Sequence, residues 1–258
     1  MANQNSNGEI AALSPSLPPS LAPANDPTAA TFASSFGDYT IDIPPPTAAD
    51  DTAFVDHLVR TVNEVYAAAE VGIWQDGFQR TSASQIEALL RAGELAVAYA
   101  GGNEGAVTGS GNGMATGTAS TREAIGCACI KVVQGADATK EEAGSSEGSK
   151  TGTETRIGDL GMLALSTRHH GRGLGRAMVR FAEERCRVGL GLSIMRIELL
   201  FPTAAEHAFK VRLAAWYSRM GYAETANSPR SFFDAYPAYA PLLAGACDYR
   251  VYEKRLAV

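Results

Sequence analysis

The sequence predicts a mixed α+β (α/β) fold that contains one parallel strand–helix–strand unit. Two observations predict it. First, residues 156–188, RIGDLGMLALSTRHHGRGLGRAMVRFAEERCRV, pass from an apolar strand through a glycine-rich turn into a helix. Leu160, Met162, Leu163, Ala164 and Leu165 make the strand, and residues 166–170 a polar turn. Gly171, Gly173 and Gly175 follow, and Leu174, Ala177, Met178, Phe181 and Ala182 recur at helical spacing. Second, residues 193–200 form the next strand, with Met195, Ile197 and Leu199 on one side and Arg196 and Glu198 on the other. Strand, helix and strand in that order imply a right-handed parallel crossover.

The other elements follow in chain order. Residues 1–36 lack Lys and Arg and are rich in Ala, Ser, Pro and Asn, the composition of a disordered tail. Residues 39–43 alternate polar and apolar and predict a first strand. Thr47 and Asp50 have the spacing of a capping box, and Val55, Leu58, Val59, Val62, Val65, Tyr66 and Ala69 predict an amphipathic helix after it. Ser82 and Gln85 open a second helix that Gly93 closes. The loop between the helices, 70–80, holds Glu70, Trp74, Phe78 and Arg80. Residues 95–99 and 124–133 are strands. The Gly-, Ser- and Thr-rich stretches 101–119 and 135–155 read as low-complexity insertions between strands, where added length costs little. Residues 188–192 read as a turn with two glycines. A helix with Phe209, Leu213, Trp216, Tyr217 and Met220 along one side ends at Gly221. Residues 232–244 are rich in aromatics and proline, and 247–256 alternate as a last strand.

Composition narrows the function. With 258 residues and 45% hydrophobic content the chain can bury a full core. Its net charge of −6 and the lack of a long basic run speak against a nucleic-acid partner and suit a cationic amine better. No apolar run is long enough to span a membrane, and neither a secretory signal nor an arginine-rich presequence stands at the start. The expected location is cytoplasmic or nuclear, with reduced thiols. Cys127 and Cys129 fall in an apolar strand and lack the other half of a ligand set, so core packing and no metal are expected of them.

The glycine-rich turn has the chemistry of a phosphate site. A helix start leaves N–H groups without partners and carries partial positive charge. Glycines let a ligand approach the backbone, and Arg172 and Arg176 add charge. The dinucleotide fingerprint fails because Arg176 stands where its third glycine belongs, and the Gly-Lys-Ser/Thr of a nucleoside-triphosphate loop is absent.

What remains resembles the GNAT superfamily of acyl-CoA-dependent N-acyltransferases, whose signature is Arg/Gln-x-x-Gly-x-Gly/Ala opening a helix. Residues 168–173 fit it literally. Residues 170–175 suit the helix better, with His170 in place of Arg or Gln, and are preferred. A second motif, WYSRMGY, is similar to the family's Tyr-x-x-x-Gly-Phe/Tyr at Tyr217, Gly221 and Tyr222. The resemblance covers residues 37–258 outside the insertions. It implies the GNAT fold, a mixed and mostly antiparallel central sheet with helices on both faces, as one acetyltransferase domain.

The resemblance also implies the chemistry. Acetyl-CoA is the co-substrate, with no metal. Backbone groups of Leu163, Ala164 and Leu165 pair with pantetheine, and those of His170, Gly171, Arg172, Gly173, Leu174, Gly175 and Arg176 hold pyrophosphate. Tyr217 serves as the acid for the leaving thiolate, a phenol of ordinary pKa ~10 against a thiol of similar basicity. Its pairing with Gly221 favours that role over plain burial. The base is Asp159, where many family members hold Glu, or Glu198 on the next strand. Glu70, Trp74 and Arg80 border the acceptor site, and a loop salt bridge with a packed Trp explains them as simply. Lys210 replaces a frequent Asn. His207 reads as a surface residue rather than an acceptor-site base. The expected activity is transfer of acetyl from CoA to a primary amine of a small molecule or peptide by direct attack in a ternary complex. The alternatives are a silent acyl-CoA-binding protein, or an interaction domain that uses segment 232–244. The acceptor and the oligomeric state are left open by the residues.

Overall fold

A computed structural model describes residues 33–36, 39–101, 122–134 and 156–257. The expected insertions, apart from Gly101, lie outside the described residues, as does the expected tail apart from residues 33–36. Those four are a strand rather than disordered chain: β1 (Ala33–Phe36) pairs antiparallel with β2 (Tyr39–Asp42), which offers it a free edge.

The sheet continues through β3 (Leu95–Ala100), β4 (Glu123–Gln134), β5 (Arg156–Leu165), β6 (Ile194–Pro202), β7 (Ala223–Glu224), β8 (Arg230–Ser231) and β9 (Cys247–Arg255). Its order is β1-β2-β3-β4-β5-β6-β9-β7, with β8 also on β9. Among the described residues every strand pairing is antiparallel except β5 with β6, as a strand–helix–strand crossover requires. The helices are α1 (Thr52–Ala69), α2 (Ala83–Arg91), α3 (Leu174–Glu184), α4 (Ala208–Arg219) and the short α5 (Phe232–Ala235).

Alternation along the strands feeds a core on each face. Leu95, Val97 and Tyr99 of β3 join Val55, Leu58 and Val62 of α1 and Ile86 and Leu90 of α2. Ala96 and Ala98 face the other way, into a core with Leu174, Met178 and Phe181 of α3 and Tyr217 of α4. The larger buried side chains of α3 (Leu174, Met178, Val179, Phe181) each contribute about 1.5–3 kcal/mol of transfer free energy. Cys127 and Cys129 are both buried in the α1/α2 core, and the four cysteines are free thiols.

Three local expectations change. Thr47 does not cap α1: residues Pro46–Asp50 form a 3₁₀ turn, and the next extended residue, Asp51, accepts from the Phe54 N–H at 3.0 Å instead. A proline at the first position of that turn starts it ahead of Thr47, which therefore lacks the extended backbone of a cap. The cap at Ser82 forms as expected, reciprocally with Gln85. The turn expected at 188–192 begins earlier, because α3 runs on into one wide turn, Arg185–Gly189, whose Leu190 N–H bonds the Arg185 carbonyl at 3.0 Å. Segment 232–244 turns its aromatics inward. Phe232 and Leu243 are buried with Ile73, Tyr249 and Val251, and Trp74, Tyr236 and Tyr239 pack on them. Phe233 alone of its aromatics is an exposed large apolar side chain, so no contiguous docking patch forms among the described residues.

Candidate active site

The site begins where two strands part. β5 and β6 pair only through Gly158–Leu160 with Met195–Ile197. Beyond that β6 follows β9 as far as Pro202, while β5 stays on β4 as far as Leu165. The backbone of Leu163, Ala164 and Leu165 therefore lacks a β6 partner on that side. A bulge adds to the divergence: between Gly161↔Cys129 and Ala164↔Cys127, two β5 residues face one of β4. Met162 sits there with φ 48°, a left-handed conformation that costs a non-glycine residue about 1–3 kcal/mol. Its burial in the α1/α2 core holds it.

The glycine turn stands at the mouth of this split. Gly173 caps α3 with φ 83°, and Gly171 has φ 78°. No side chain caps the helix, and Ala177 N–H closes its first turn on the Gly173 carbonyl at 3.0 Å. The N–H groups of Leu174, Gly175 and Arg176 come before that bond and point out of the helix start. Nothing within 4 Å meets a Cβ built at Gly171 or Gly173, so open space lies over both. Gly175 lies against Leu165 and Trp216. Arg172 and Arg176 are exposed beside it, and His170 reaches the cavity wall.

One cavity of ≈ 450 Å³ runs from this turn along the split. Leu163, Leu165 and His170 line one end, and Asp159, Glu198 and Tyr217 line it further in. Glu70, Trp74 and Arg80 are also on its wall. The structure thus brings the expected catalytic and acceptor residues together. Of the residues expected to hold the cofactor, Leu163, Leu165 and His170 line this cavity, whereas Gly171 to Arg176 are not on its wall and the Ala164 side chain is fully buried in the α1/α2 core, so that only its backbone faces the split.

Tyr217 is 3% exposed. Burial first, and the Tyr66 phenol second, push its pKa above the ordinary value near 10, so its proton is firmly held at neutral pH. The spacing to Gly221 and Tyr222 has a structural cause. Gly221 (φ 94°) donates to the Ser218 carbonyl at 3.0 Å, and Tyr222 N–H to the Tyr217 carbonyl at 3.2 Å. This is a Schellman cap, completed by contact of the Tyr217 and Tyr222 rings at 5.8 Å. The Gly221 pairing therefore reports how α4 ends. The functional interest of Tyr217 rests on its place in the cavity.

Asp159 and Glu198 face the cavity as a carboxylate pair without a salt bridge among the described residues. Burial, then the charge of Glu198, pushes Asp159 up to about 7, against the pull of Arg196 and Lys131. Glu198 is raised by burial as well, in spite of the Tyr236 hydroxyl, which donates to its Oε2 at 3.0 Å, and the charges of Arg196 and Arg230.

Glu70 is not a surface loop charge. Its Oε1 accepts from Lys210 Nζ at 2.5 Å and its Oε2 from Trp74 Nε1 at 2.6 Å. Burial would raise its pKa, but Lys210 and Arg80, with the two hydrogen bonds, outweigh it and hold the carboxylate below its usual range. Arg80 lies over the Tyr66 ring, 4.8 Å from its centre. His207 caps α4 through Nδ1, which accepts from Lys210 N–H at 3.4 Å. Sequence reasoning missed Tyr66, Tyr236 and Tyr249 on the cavity wall and left Lys210 without a role. A lysine on the apolar side of a helix was the one available signal, and it names no partner. No cluster of three or more His, Cys, Asp or Glu that could hold a metal occurs among the described residues.

Comparisons with known proteins bear on the fold. The model of the Acetyltransferase (GNAT) family matches residues 108–222. No curated protein matches the chain. Among solved structures, NAA60 of Arabidopsis thaliana in complex with acetyl-CoA is similar with TM-score 0.50 and 12% identity, over 84% of this chain and 98% of that one. NAA60 bound to a bisubstrate analogue is similar with the same score and identity, over 85% and 99%. A GNAT-family acetyltransferase from Desulfovibrio desulfuricans is 16% identical over 85% of this chain and 98% of that one, with TM-score 0.45.

Proposed function

We propose that this chain, whose residues 108–222 match the model of the Acetyltransferase (GNAT) family, moves an acetyl group from acetyl-CoA to a primary amine by direct attack in a ternary complex. One observation carries the reading: the parted strand edge and His170, which leads directly into a helix start with two left-handed glycines, line the same cavity as Tyr217 and a carboxylate pair. The glycines and the free N–H groups of α3 fit a pyrophosphate, and the open backbone of Leu163 to Leu165 fits an amide-bearing pantetheine arm. Acetyl-CoA bound there supplies an activated thioester.

The residues then have distinct tasks. Asp159, with a pKa of about 7, takes a proton from the acceptor ammonium, and Glu198 is the rival for this task. The amine nitrogen bonds to the carbonyl carbon as the carbon–sulfur bond breaks. Backbone N–H groups at the β5 bulge polarise the carbonyl oxygen. Tyr217 gives its proton to the departing sulfur, and the nitrogen sheds its second proton as the amide forms, which restores the phenol. Because both substrates fit along one cavity, no acyl-enzyme is required.

Saturating acetyl-CoA should raise the midpoint of thermal unfolding; at a hundred times the dissociation constant the added stability is about 2.7 kcal/mol. Gly173→Val should abolish the shift, because a branched residue resists φ 83° and fills the space over the backbone. A flat response of the wild-type protein to acetyl-CoA counts against the whole reading.

A further inference from the structure

The far end of the cavity is walled by side chains from two segments that are laced together. The α1–α2 loop and the stretch before β9 exchange main-chain hydrogen bonds, Gln75 N–H to the Leu242 carbonyl and Ala244 N–H to the Ile73 carbonyl, each at 2.9 Å. The Gln75 side chain adds a bond to the Pro241 carbonyl at 2.9 Å. Behind this seam Trp74 and Phe232, one from each segment and both on the cavity wall, meet edge to face at 6.0 Å. Tyr236 and Tyr249 continue the aromatic surface, at 5.1 Å from Phe232 and 5.6 Å from Tyr236 respectively.

Two chemical features follow. A polypeptide acceptor needs a groove that its chain can leave, and the hydrogen-bonded seam with the Trp74–Phe232 contact ties the two segments together across this end. The charges at this end are also divided. Glu70 is spoken for by Lys210 and Trp74, whereas Asp159 and Glu198 have no ion partner among the described residues and can receive an ammonium. A cationic head against the carboxylate pair leaves the body of the acceptor facing Trp74, Phe232, Tyr236 and Tyr249. The volume of ≈ 450 Å³ must also hold the acetyl end of the pantetheine arm, which limits the acceptor to a small molecule.

Resting on the acetyltransferase reading above, we propose that the acceptor is a small primary amine with an aromatic body, of the arylalkylamine class, and not the N-terminus or a lysine of a polypeptide. The ammonium sits at Asp159 and Glu198, and the ring lies against the aromatic wall.

The test measures CoA release by the full chain with 2-phenylethylamine, n-butylamine and an unstructured hexapeptide with a free N-terminus. 2-Phenylethylamine should exceed n-butylamine in kcat/KM by about 10-fold or more, the scale of a filled apolar pocket, and the peptide should be the poorest. Trp74→Ala and, as a milder variant, Phe232→Leu should raise KM for 2-phenylethylamine and leave the acetyl-CoA thermal shift in place, which also shows that each variant is folded. Acetylation of the peptide at a rate equal to or above that of 2-phenylethylamine overturns the proposal and leaves the acetyltransferase reading standing, as does equal use of n-butylamine. No transfer to any acceptor, together with no acetyl-CoA shift, overturns both.

Discussion

The two ends of the cavity are built in different ways. The turn end is made of backbone: the N–H groups at the start of α3, the open edge of β5, and glycines that keep side chains away. All of it comes from one continuous stretch. The far end is made of side chains, and its members are distant in sequence: Lys210 and Glu70 are 140 residues apart, and Tyr236 and Glu198 are 38 apart. A backbone site can serve a ligand whose phosphates and amides are constant. A side-chain site can change its ligand through a few substitutions. The difference separates what a shared motif carries from what is particular to this chain.

Four measurements sharpen or break that contrast. The largest effect is expected from Lys210→Met. Lys210 is 4% exposed, and its removal strands the buried Glu70 carboxylate, at a cost of about 3–5 kcal/mol in denaturant unfolding. Acetyl-CoA affinity should change little; a large loss would show that the two ends are not separate. Next, Tyr217→Phe keeps the ring and deletes the hydroxyl. Turnover should fall by ~100-fold or more with acetyl-CoA affinity nearly intact. Unchanged turnover on a genuine acceptor removes Tyr217 from the chemistry.

The third is a pH profile. As a base Asp159 must lose its proton, so kcat/KM should rise with pH through about 7, and Asp159→Asn should erase that limb. If Glu198→Gln erases it instead, the roles exchange. The stability sign is opposite. The folded state raises the Asp159 pKa above its unfolded value, so its contribution is complete below about pH 4 and is lost as pH rises through about 7. Asp159→Asn should flatten that slope in unfolding measurements.

The smallest effect is expected at the α4 cap. Gly221→Ala places a Cβ at φ 94°, at a cost of about 1 kcal/mol in unfolding, with no backbone clash because the nearest atom is Lys254 Cε at 3.6 Å. A modest loss of stability with kcat retained would confirm that Gly221 acts through the cap alone. A collapse of kcat would show that the cap also sets the position of the Tyr217 hydroxyl.

The sequence by itself determined the elements whose rules act over a few residues. The Ser82–Gln85 box, the left-handed glycines beside α3 and the ending of α4 at Gly221 could each be read within about one turn of chain. Family motifs added the order of the strands and the place of the glycine turn. Only the tertiary structure decided which partners the side chains found. That β6 leaves β5 after Ile197 depends on its longer pairing with β9, which lies some fifty residues further on. The burial of Lys210 follows from how α4 lands on the end of α1, and no periodicity encodes that landing. Asp51 takes the cap that Thr47 seemed placed for because a proline starts its own turn one residue earlier. Local rules state what a residue can do, whereas partner choice is a property of the whole packed chain, in which each contact is weighed against every competing one.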